Sequence, residues 1–169
     1  MVDRMQGTGL NFSSPISGLQ LCSQVRISKP IPESGKVILK RCAVKALWDT
    51  GAVISAVSRS VASKLGLKAK ERARLATVSG EASAVKDIVL LDLFISNMVI
   101  PVKVAIVDSV PGTDNDFLIG MDVIQCGELS VKSDHDRHTF DVEFSPYPDI
   151  FKRVSEILPV INPVRIVDI

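Results

Sequence analysis

The sequence predicts one mainly β domain with one or two short helices. Its 169 residues are 46% hydrophobic but only 5% aromatic, which fits a single globular unit with an aliphatic core. From Val25 onwards, short runs rich in β-branched and aliphatic residues alternate with turn residues, as in strands joined by tight connections. The predicted strands are Val25–Ile27, Val37–Leu39, Ala43–Trp48, Leu75–Val78, Ala84–Ile95, Met98–Val107, Phe117–Ile119, Leu129–Val131 and Thr139–Phe144.

Two segments show helical periodicity instead. Within Val53–Leu67 the apolar residues recur at three- and four-residue steps, with Ser58 in position for an N-cap and Gly66 for a stop. The apolar residues of Ile150–Leu158 fall on one helical face just before Pro159. We therefore expect one helix in the middle of the chain and a second one near its end.

The chain divides into an arm, a domain and an extension. Residues 1–24 are largely rich in Gly, Ser, Thr and Gln, which predicts an extended arm and not a second domain. Residues 25–145 hold the predicted strands and form the domain. Residues 146–169 form a C-terminal extension that contains proline and apolar residues.

Charge and cysteine content narrow the class of function. The net charge of +1 provides no strongly basic surface, so we predict neither a nucleic acid nor a membrane partner. Cys22, Cys42 and Cys126 are odd in number and lack the paired spacing of a zinc site, which predicts reduced thiols. The first residues lack the apolar core of a signal peptide and charges interrupt the longest apolar stretches, so we expect a cytoplasmic protein.

The most informative stretch is an apolar run that ends on a single acidic residue. Val44–Trp48 predicts a strand, and Asp49-Thr50-Gly51-Ala52 follows it directly. One interpretation is a plain turn, since composition alone yields such a D-(T/S)-G triplet in roughly one chain in ten of this length. The other is a catalytic loop, because the strand delivers an isolated carboxylate to its end.

A second element downstream favours the catalytic interpretation. The segment from Asp116 to Ile124 contains a short apolar strand, Phe117–Ile119, that ends at Gly120. A glycine at this point allows one backbone to pass close beneath another loop. The two elements together are more specific than either one alone.

In their order and approximate separation, these two elements resemble the retropepsin-like aspartic proteases, a family with retroviral, cellular and bacterial members. The resemblance extends over about Val37 to Phe144 and includes the helix after Ser58, which is similar to one in cellular and bacterial members. It implies a closed retropepsin-like β-barrel, with one pepsin-like lobe per chain.

The resemblance also implies an aspartic endopeptidase that works as a homodimer. The family's chemistry needs two carboxylates within hydrogen-bonding reach, and this chain has one Asp-Thr-Gly, so Asp49 of each copy would meet at a two-fold axis. Thr50 would hold the two loops together through its hydroxyl, and Gly51 would let the backbone approach the shared water. The Asp pair would activate that water to hydrolyse a peptide bond, without a metal or another cofactor.

The implied substrate is an extended polypeptide whose backbone pairs with the cleft. Ala52 would keep the loop small where the substrate passes. Ile119 and Gly120 are further predicted substrate contacts.

A hairpin flap is expected to close over the substrate. The candidate is Leu75–Val85, with a tip at Thr77–Ala82 in which Val78, Ser79 and Gly80 would contact the substrate. The alternative is an ordinary hairpin with no function as a lid.

Two features depart from retroviral members of the family. Those members usually carry an Arg after Gly120 that helps to tie the dimer, whereas this chain has Met121-Asp122, as many cellular relatives do. Residues 146–169 also have no counterpart in a minimal retroviral protease, and the dimer interface and the cleft are both candidate positions for them.

Other interpretations remain open. A dimer that kept the fold but lost turnover would bind or scaffold peptides without cleaving them. His135 and His138 could serve a metal-dependent hydrolase, although their place between two predicted strands favours a solvated hairpin turn. The basic residues between Lys68 and Arg74 could touch phosphate, but a solvated strand or loop fits them better.

Overall fold

The computed structural model describes residues 9–15, 20–32, 37–75, 84–112, 114–150, 152–153 and 164–169. Within these residues the chain forms twelve strands and two short helices, so the mainly β prediction is confirmed. The elements in chain order are β1 (Leu10–Pro15), β2 (Leu21–Ser28), β3 (Val37–Trp48), β4 (Ala56–Ser58), α1 (Arg59–Leu65), β5 (Glu71–Leu75), β6 (Ala84–Ile95), β7 (Met98–Val107), β8 (Phe117–Ile119), α2 (Met121–Ile124), β9 (Gly127–Asp134), β10 (Thr139–Pro146), β11 (Lys152–Arg153) and β12 (Val164–Asp168).

Six of the strands pair in a closed circuit. β7 pairs with β4, β4 with β8, β8 with β3, β3 with β2, β2 with β6, and β6 pairs back with β7. β5 adds to β6, and β11 adds to β7. Closing a sheet on itself satisfies the strand edges that an open sheet would leave unpaired. The closed β architecture that the resemblance implies is therefore confirmed.

A separate three-stranded sheet in the order β1-β10-β9 packs against this barrel. Its aromatic residues Phe12 and Phe144 lie against Trp48, with ring centroids 5.9 and 5.1 Å away. The indole N–H of Trp48 donates to the Ser23 hydroxyl at 2.9 Å, so the buried ring has a partner for its polar atom. Part of the predicted N-terminal arm, β1, thus supports the residue that precedes Asp49.

β3 is the strand that leads to the predicted site, and it merges two strands that were predicted separately. Cys42, Val44 and Ala46 are buried in alternation with more exposed neighbours, as expected for a strand with one face on the core. At the end of β3 this alternation stops, and Leu47 and Trp48 are both buried. Both faces of the sheet are therefore covered where the chain reaches Asp49.

The central helix has the ends that the sequence predicts. The Ser58 hydroxyl accepts a hydrogen bond from the Val61 N–H, which caps the first turn of α1. Gly66 ends the helix in the left-handed conformation, with φ of 62°. The helix itself is shorter than the predicted segment, because residues 56–58 pair as β4.

The second helix was predicted in the wrong place. Lys152 and Arg153, inside the predicted helix Ile150–Leu158, form β11 and pair with Val99 and Met98 of β7. Phe151 and residues 154–158 lie outside the described residues. Pairing with the open edge of β7 satisfies the backbone at this point, and a short apolar periodicity cannot exclude that alternative. The second observed helix is α2.

The described end of the C-terminal extension pairs within this chain away from the catalytic loop, and its place at the dimer interface stays a prediction. β12 pairs in parallel with the first residues of β3, at the opposite end of that strand from Asp49. Arg41 binds Asp168 with its guanidinium, with a shortest distance of 2.9 Å, and the Arg41 carbonyl accepts from the Ile169 N–H. The extension therefore adds a strand to the barrel sheet.

All three cysteines are free thiols, as predicted. Among the residues that the structure describes, no helix is long and apolar enough to cross a membrane.

Candidate active site

Asp49 lies one residue beyond the end of β3. β3 and β8 run in parallel, with Trp48 opposite Ile119, and the Asp49 N–H donates to the Ile119 carbonyl at 2.9 Å. This bond extends the strand pairing by one residue and so fixes the backbone of Asp49. The Asp49 side chain is half-buried, whereas Thr50 and Gly51 are exposed.

The loop folds back onto the Asp49 carboxylate. The Gly51 N–H donates to Asp49 Oδ1 at 2.8 Å, and the Ala52 N–H donates to the Asp49 carbonyl at 3.2 Å. A Cβ at Gly51 would lie 3.1 Å from Asp49 Oδ1. Gly51 does not have a positive φ, so what favours glycine here is the close approach to the carboxylate.

Gly120 passes directly beneath this loop, as its sequence position predicts. A Cβ at Gly120 would lie 2.9 Å from both the Ala52 carbonyl oxygen and the Ile54 carbonyl carbon, a distance that real Cβ atoms essentially never show. The next two amides donate to the loop as well, Met121 N–H to the Ala52 carbonyl at 2.8 Å and Asp122 N–H to the Val53 carbonyl at 3.2 Å. The two sequence elements are thus joined by backbone contacts.

A hydrogen-bonded Ser–Asp pair that the sequence analysis missed locks the two loops together. The carboxylate of Asp122 accepts from the Ser55 hydroxyl at 2.7 Å and from the Ser55 N–H at 2.9 Å. The same hydroxyl accepts from the Gly120 N–H at 3.0 Å. The signal in the sequence was Asp122, two residues after Gly120, and Ser55, six residues after Asp49. Neither residue has a local pattern that indicates a partner so far away along the chain.

Cys126 supports Asp122 from the other side. Its thiol donates to the Asp122 carbonyl at 3.2 Å. Burial, followed by the nearby Asp122 charge, raises the pKa of the Cys126 thiol. The thiol therefore stays protonated at neutral pH and remains a donor to this carbonyl.

The Asp49 carboxylate has few competing partners. Its hydrogen bond from Gly51 is contributed by the backbone, and no Lys or Arg among the described residues forms an ion pair with it. A half-exposed carboxylate at a strand end can exchange protons with a bound molecule.

A small apolar cluster covers the face of the sheet next to the loop. Its buried members are Leu47, Ala56, Ile88, Ala105, Val110 and Leu118, and half-buried residues including Ala52, Ile54, Ala73 and Leu75 pack against them. The flanking residues of the same strands, such as Trp48 and Ile119, belong to the main core on the opposite face. Because side chains alternate along a strand, Leu47 and Leu118 share the face of the small apolar cluster.

The predicted substrate contacts fall in different places. Ala52 lies at the edge of the small apolar cluster, next to Asp49. Ile119 is fully buried in the main core and Gly120 is buried beneath the loop, so both support the loop and neither offers a side chain to a substrate. Its neighbour Leu118 lies on the face of the small apolar cluster, and substrate contact by Ile119 and Gly120 stays a prediction.

The predicted flap begins as a hairpin. β5 and β6 pair antiparallel, and their last pair before the connection is Leu75 with Ala84. The predicted tip Thr77–Ala82, with Val78, Ser79 and Gly80, lies outside the described residues. Its contact with substrate stays a prediction.

The two histidines lie in the turn of a hairpin, as the solvated interpretation predicts. His135 and His138 fall between β9 and β10, with ring centroids 5.8 Å apart. Within the described part of the chain, no group of three or more His, Cys, Asp or Glu residues is arranged to hold a metal ion.

Comparison with known proteins identifies the family. A family model described as aspartyl protease matches residues 36–123, which include both Asp49 and Gly120. Among solved structures, the chain is similar to a retropepsin-like aspartic protease from Rickettsia conorii, at 14% identity and a TM-score of 0.45, over 86% of this chain and 100% of that one. A search of curated proteins finds no significant match. Because the family model spans more than half of the chain and contains both loops of the site, the chain belongs to the aspartyl protease family.

Proposed function

We propose that the protein is an aspartic endopeptidase whose active site forms between two copies of the chain. The observation that carries this proposal is the placement of Asp49. Its carboxylate is half-buried at a strand end, bound by the Gly51 N–H and free of ion pairs within the described chain, on a loop that Gly120 and Ser55 hold in place. These are the properties of a carboxylate prepared for proton transfer.

The requirement for two copies comes from the chemistry. No other Asp in the chain is followed by Thr-Gly or Ser-Gly, so one chain supplies one catalytic carboxylate. A symmetric dimer brings a residue on the two-fold axis into contact with its own copy. Thr50 is exposed beside Asp49, and its hydroxyl would hold the two loops at a fixed separation.

In aspartic proteases generally, two carboxylates about 3 Å apart cannot both ionise and so share one proton. The ionised Asp49 takes a proton from the bound water, and the water oxygen attacks the scissile carbonyl carbon. The protonated Asp49 donates its proton to the carbonyl oxygen. When the tetrahedral intermediate breaks down, the C–N bond breaks as the protonated carboxyl gives its proton to the leaving amine, and a hydroxyl of the intermediate returns a proton to the other carboxylate, so the pair again shares one proton. The Gly51 N–H keeps each carboxylate oriented throughout.

The substrate would be an extended polypeptide segment with apolar side chains near the scissile bond. The small apolar cluster lies on the loop face, and its half-buried members Ala52 and Ile54 belong to the loop itself. Ala73 and Leu75, at the base of the predicted flap, pack against the same cluster. An apolar side chain beside the scissile bond could therefore lie between the catalytic loop and the flap.

The test is cleavage of a diverse pool of unfolded peptides by the purified protein. Asp49→Asn should abolish cleavage because the amide cannot exchange the proton, whereas Asp136→Asn, at the exposed hairpin turn, should leave it unchanged. Cleavage that survives Asp49→Asn overturns the proposal. Stoichiometric peptide binding without products would point to the noncatalytic dimer, and cleavage that is lost with a chelator but kept in Asp49→Asn would point to a metal-dependent hydrolase.

A further inference from the structure

A lysine lies on the face of the flap hairpin that carries the small apolar cluster. Ile88 of β6 belongs to that cluster, and Lys86, two residues before it, is on the same side of the strand. Across the hairpin, Lys86 stands opposite Ala73, which packs against the cluster. Side chains paired in this way have Cβ atoms about 5 Å apart. The base of the predicted flap therefore places Lys86 at the edge of the apolar surface beside the catalytic loop.

The other charges near the base of the hairpin already have partners. Three ion pairs join Arg72 to Asp87 at 3.0 Å, Lys103 to Glu71 at 2.9 Å and Arg59 to Asp108 at 2.8 Å. Lys86 is half-buried, and no carboxylate among the described residues forms an ion pair with it. A lysine in this position lays its apolar stem along the neighbouring side chains and keeps its amine accessible.

Asp108 is the acid on which the Lys86 charge acts, but Arg59 holds it more closely. The Arg59 hydrogen bond and charge keep the pKa of Asp108 below its ordinary value, and the Lys86 charge adds a smaller contribution in the same direction. Two cations thus share one carboxylate, and one positive charge stays unbalanced. A half-buried cation attracts an anion more strongly than a cation in bulk water does.

The opposite face of the same hairpin provides a matched comparison. Arg74, next to Ala73, is exposed and lies on the other side of β5. It stands opposite Val85, which is 55% exposed. A general attraction between basic surface and acidic peptides would act through Arg74 as well as Lys86. A contact on the face of the small apolar cluster would act through Lys86 alone.

We propose that Lys86 is a specificity-determining residue that binds the carboxylate of an Asp or Glu side chain in the substrate. The inference rests on the proposed function, which places an extended polypeptide between the catalytic loop and the flap. Alternate side chains of an extended chain share a face, so a substrate with one apolar side chain on the cluster has another side chain within reach of Lys86. Two-fold symmetry gives one Lys86 to each half of the cleft. The substrate class is therefore an apolar segment with an acidic side chain near the scissile bond.

The experiment uses a peptide pool in which Asp and Asn, and likewise Glu and Gln, occur equally often at every position. In the first arm, mass spectrometry identifies the peptides that are cleaved by the wild type, Lys86→Met, Lys86→Arg and Arg74→Met. In the second arm, the same substitutions are combined with Asp49→Asn, and the intact peptides that each immobilised variant retains are identified. Methionine keeps most of the lysine stem and removes the charge, and circular dichroism checks that each variant keeps the fold.

We expect acidic residues to be enriched over their amides about threefold to tenfold in both arms, as for an ion pair at a half-exposed site. Lys86→Met should bring this ratio to about one, whereas Lys86→Arg and Arg74→Met should keep it. Raising the NaCl concentration from about 0.1 to 1 M should lower the ratio, because salt screens an ionic contact.

The outcomes separate this inference from the proposed function. Cleavage with no enrichment of acidic residues, or with an enrichment that survives Lys86→Met, overturns the role of Lys86 and leaves the endopeptidase standing. An enrichment that Arg74→Met lowers as much as Lys86→Met also overturns that role. Retention of acidic peptides through Lys86 without any cleavage by the wild type supports the role of Lys86 and overturns the endopeptidase. A protein that neither cleaves nor retains peptides from the pool overturns both.

Discussion

Ser55→Ala tests whether the catalytic loop depends on the buried contact between Ser55, Asp122 and Gly120. Ser55 is fully buried, and its hydroxyl both donates to Asp122 at 2.7 Å and accepts from the Gly120 N–H at 3.0 Å. Alanine has nearly the same shape as serine and removes only this oxygen. The substitution therefore isolates the two hydrogen bonds.

The expected cost follows from what is left unpaired. The Gly120 N–H loses its acceptor in a buried position, which costs about 1–3 kcal/mol of unfolding free energy. The Asp122 carboxylate keeps the N–H groups of Ser55 and Val123 and is only half-buried, so water can replace the lost donor there. Because the loop then loses its support, we expect kcat/KM to fall by about tenfold to a hundredfold.

The assay pairs urea unfolding with peptide cleavage under conditions in which every variant is fully folded. Ser28→Ala is the matched control, since Ser28 is also fully buried and its hydroxyl donates to the Lys29 carbonyl at 2.6 Å. The control should lose about 1 kcal/mol of stability and keep kcat/KM. The reasoning is refuted if Ser55→Ala unfolds like wild type, or if it loses stability with no greater effect on kcat/KM than Ser28→Ala.

Two further predictions concern stability. Gly120→Ala should lower the free energy of unfolding, measured with urea, by about 1–3 kcal/mol, because its Cβ would meet the backbone of Ala52 and Ile54 at 2.9 Å. A variant as stable as the wild type would show that the two loops can separate freely. Burial raises the pKa of Asp92 above its ordinary 3.8, although the Ile31 N–H bond opposes this, so the folded state retains the proton to higher pH than the unfolded state. The protonated Asp92 therefore contributes to the free energy of unfolding below pH 3.8, and this contribution is lost as the pH rises through the folded pKa. In Asp92→Asn, the free energy of unfolding, measured at a series of pH values, should decrease less over this pH range than in the wild type. An unchanged pH slope would contradict this assignment.

The local features of the fold were predictable because their causes lie within a few residues. Ser58 caps α1 by bonding an amide three residues away, and Gly66 ends the helix by a conformation that glycine adopts readily. The hairpin of β9 and β10 follows from two strand patterns around a polar turn. The position of Asp49 at the end of an apolar strand was also predictable, because the apolar run before it is visible in the local sequence without knowledge of the strands that pair with it.

Contacts between distant segments could not be predicted in the same way. The hydrogen bond between Ser55 and Asp122 joins residues 67 positions apart. β12, near the C-terminal end of the sequence, pairs with the first residues of β3. The β11 pairing overrode a helical periodicity because an open strand edge of β7 was available. These outcomes depend on which edges and cavities the rest of the fold leaves free, and no local pattern encodes that.

The sequence alone determined that a single acidic loop and a glycine-ended strand belong together, because each carries its own chemical signature. The tertiary structure alone decided which face of β8 meets that loop. Leu118 and Ile119 are neighbours of similar hydrophobicity, but they point to opposite sides of the strand, Leu118 to the small apolar cluster and Ile119 to the main core. The pairing of β8 between β3 and β4 fixes that direction, because the register between strands sets which side chains face which layer.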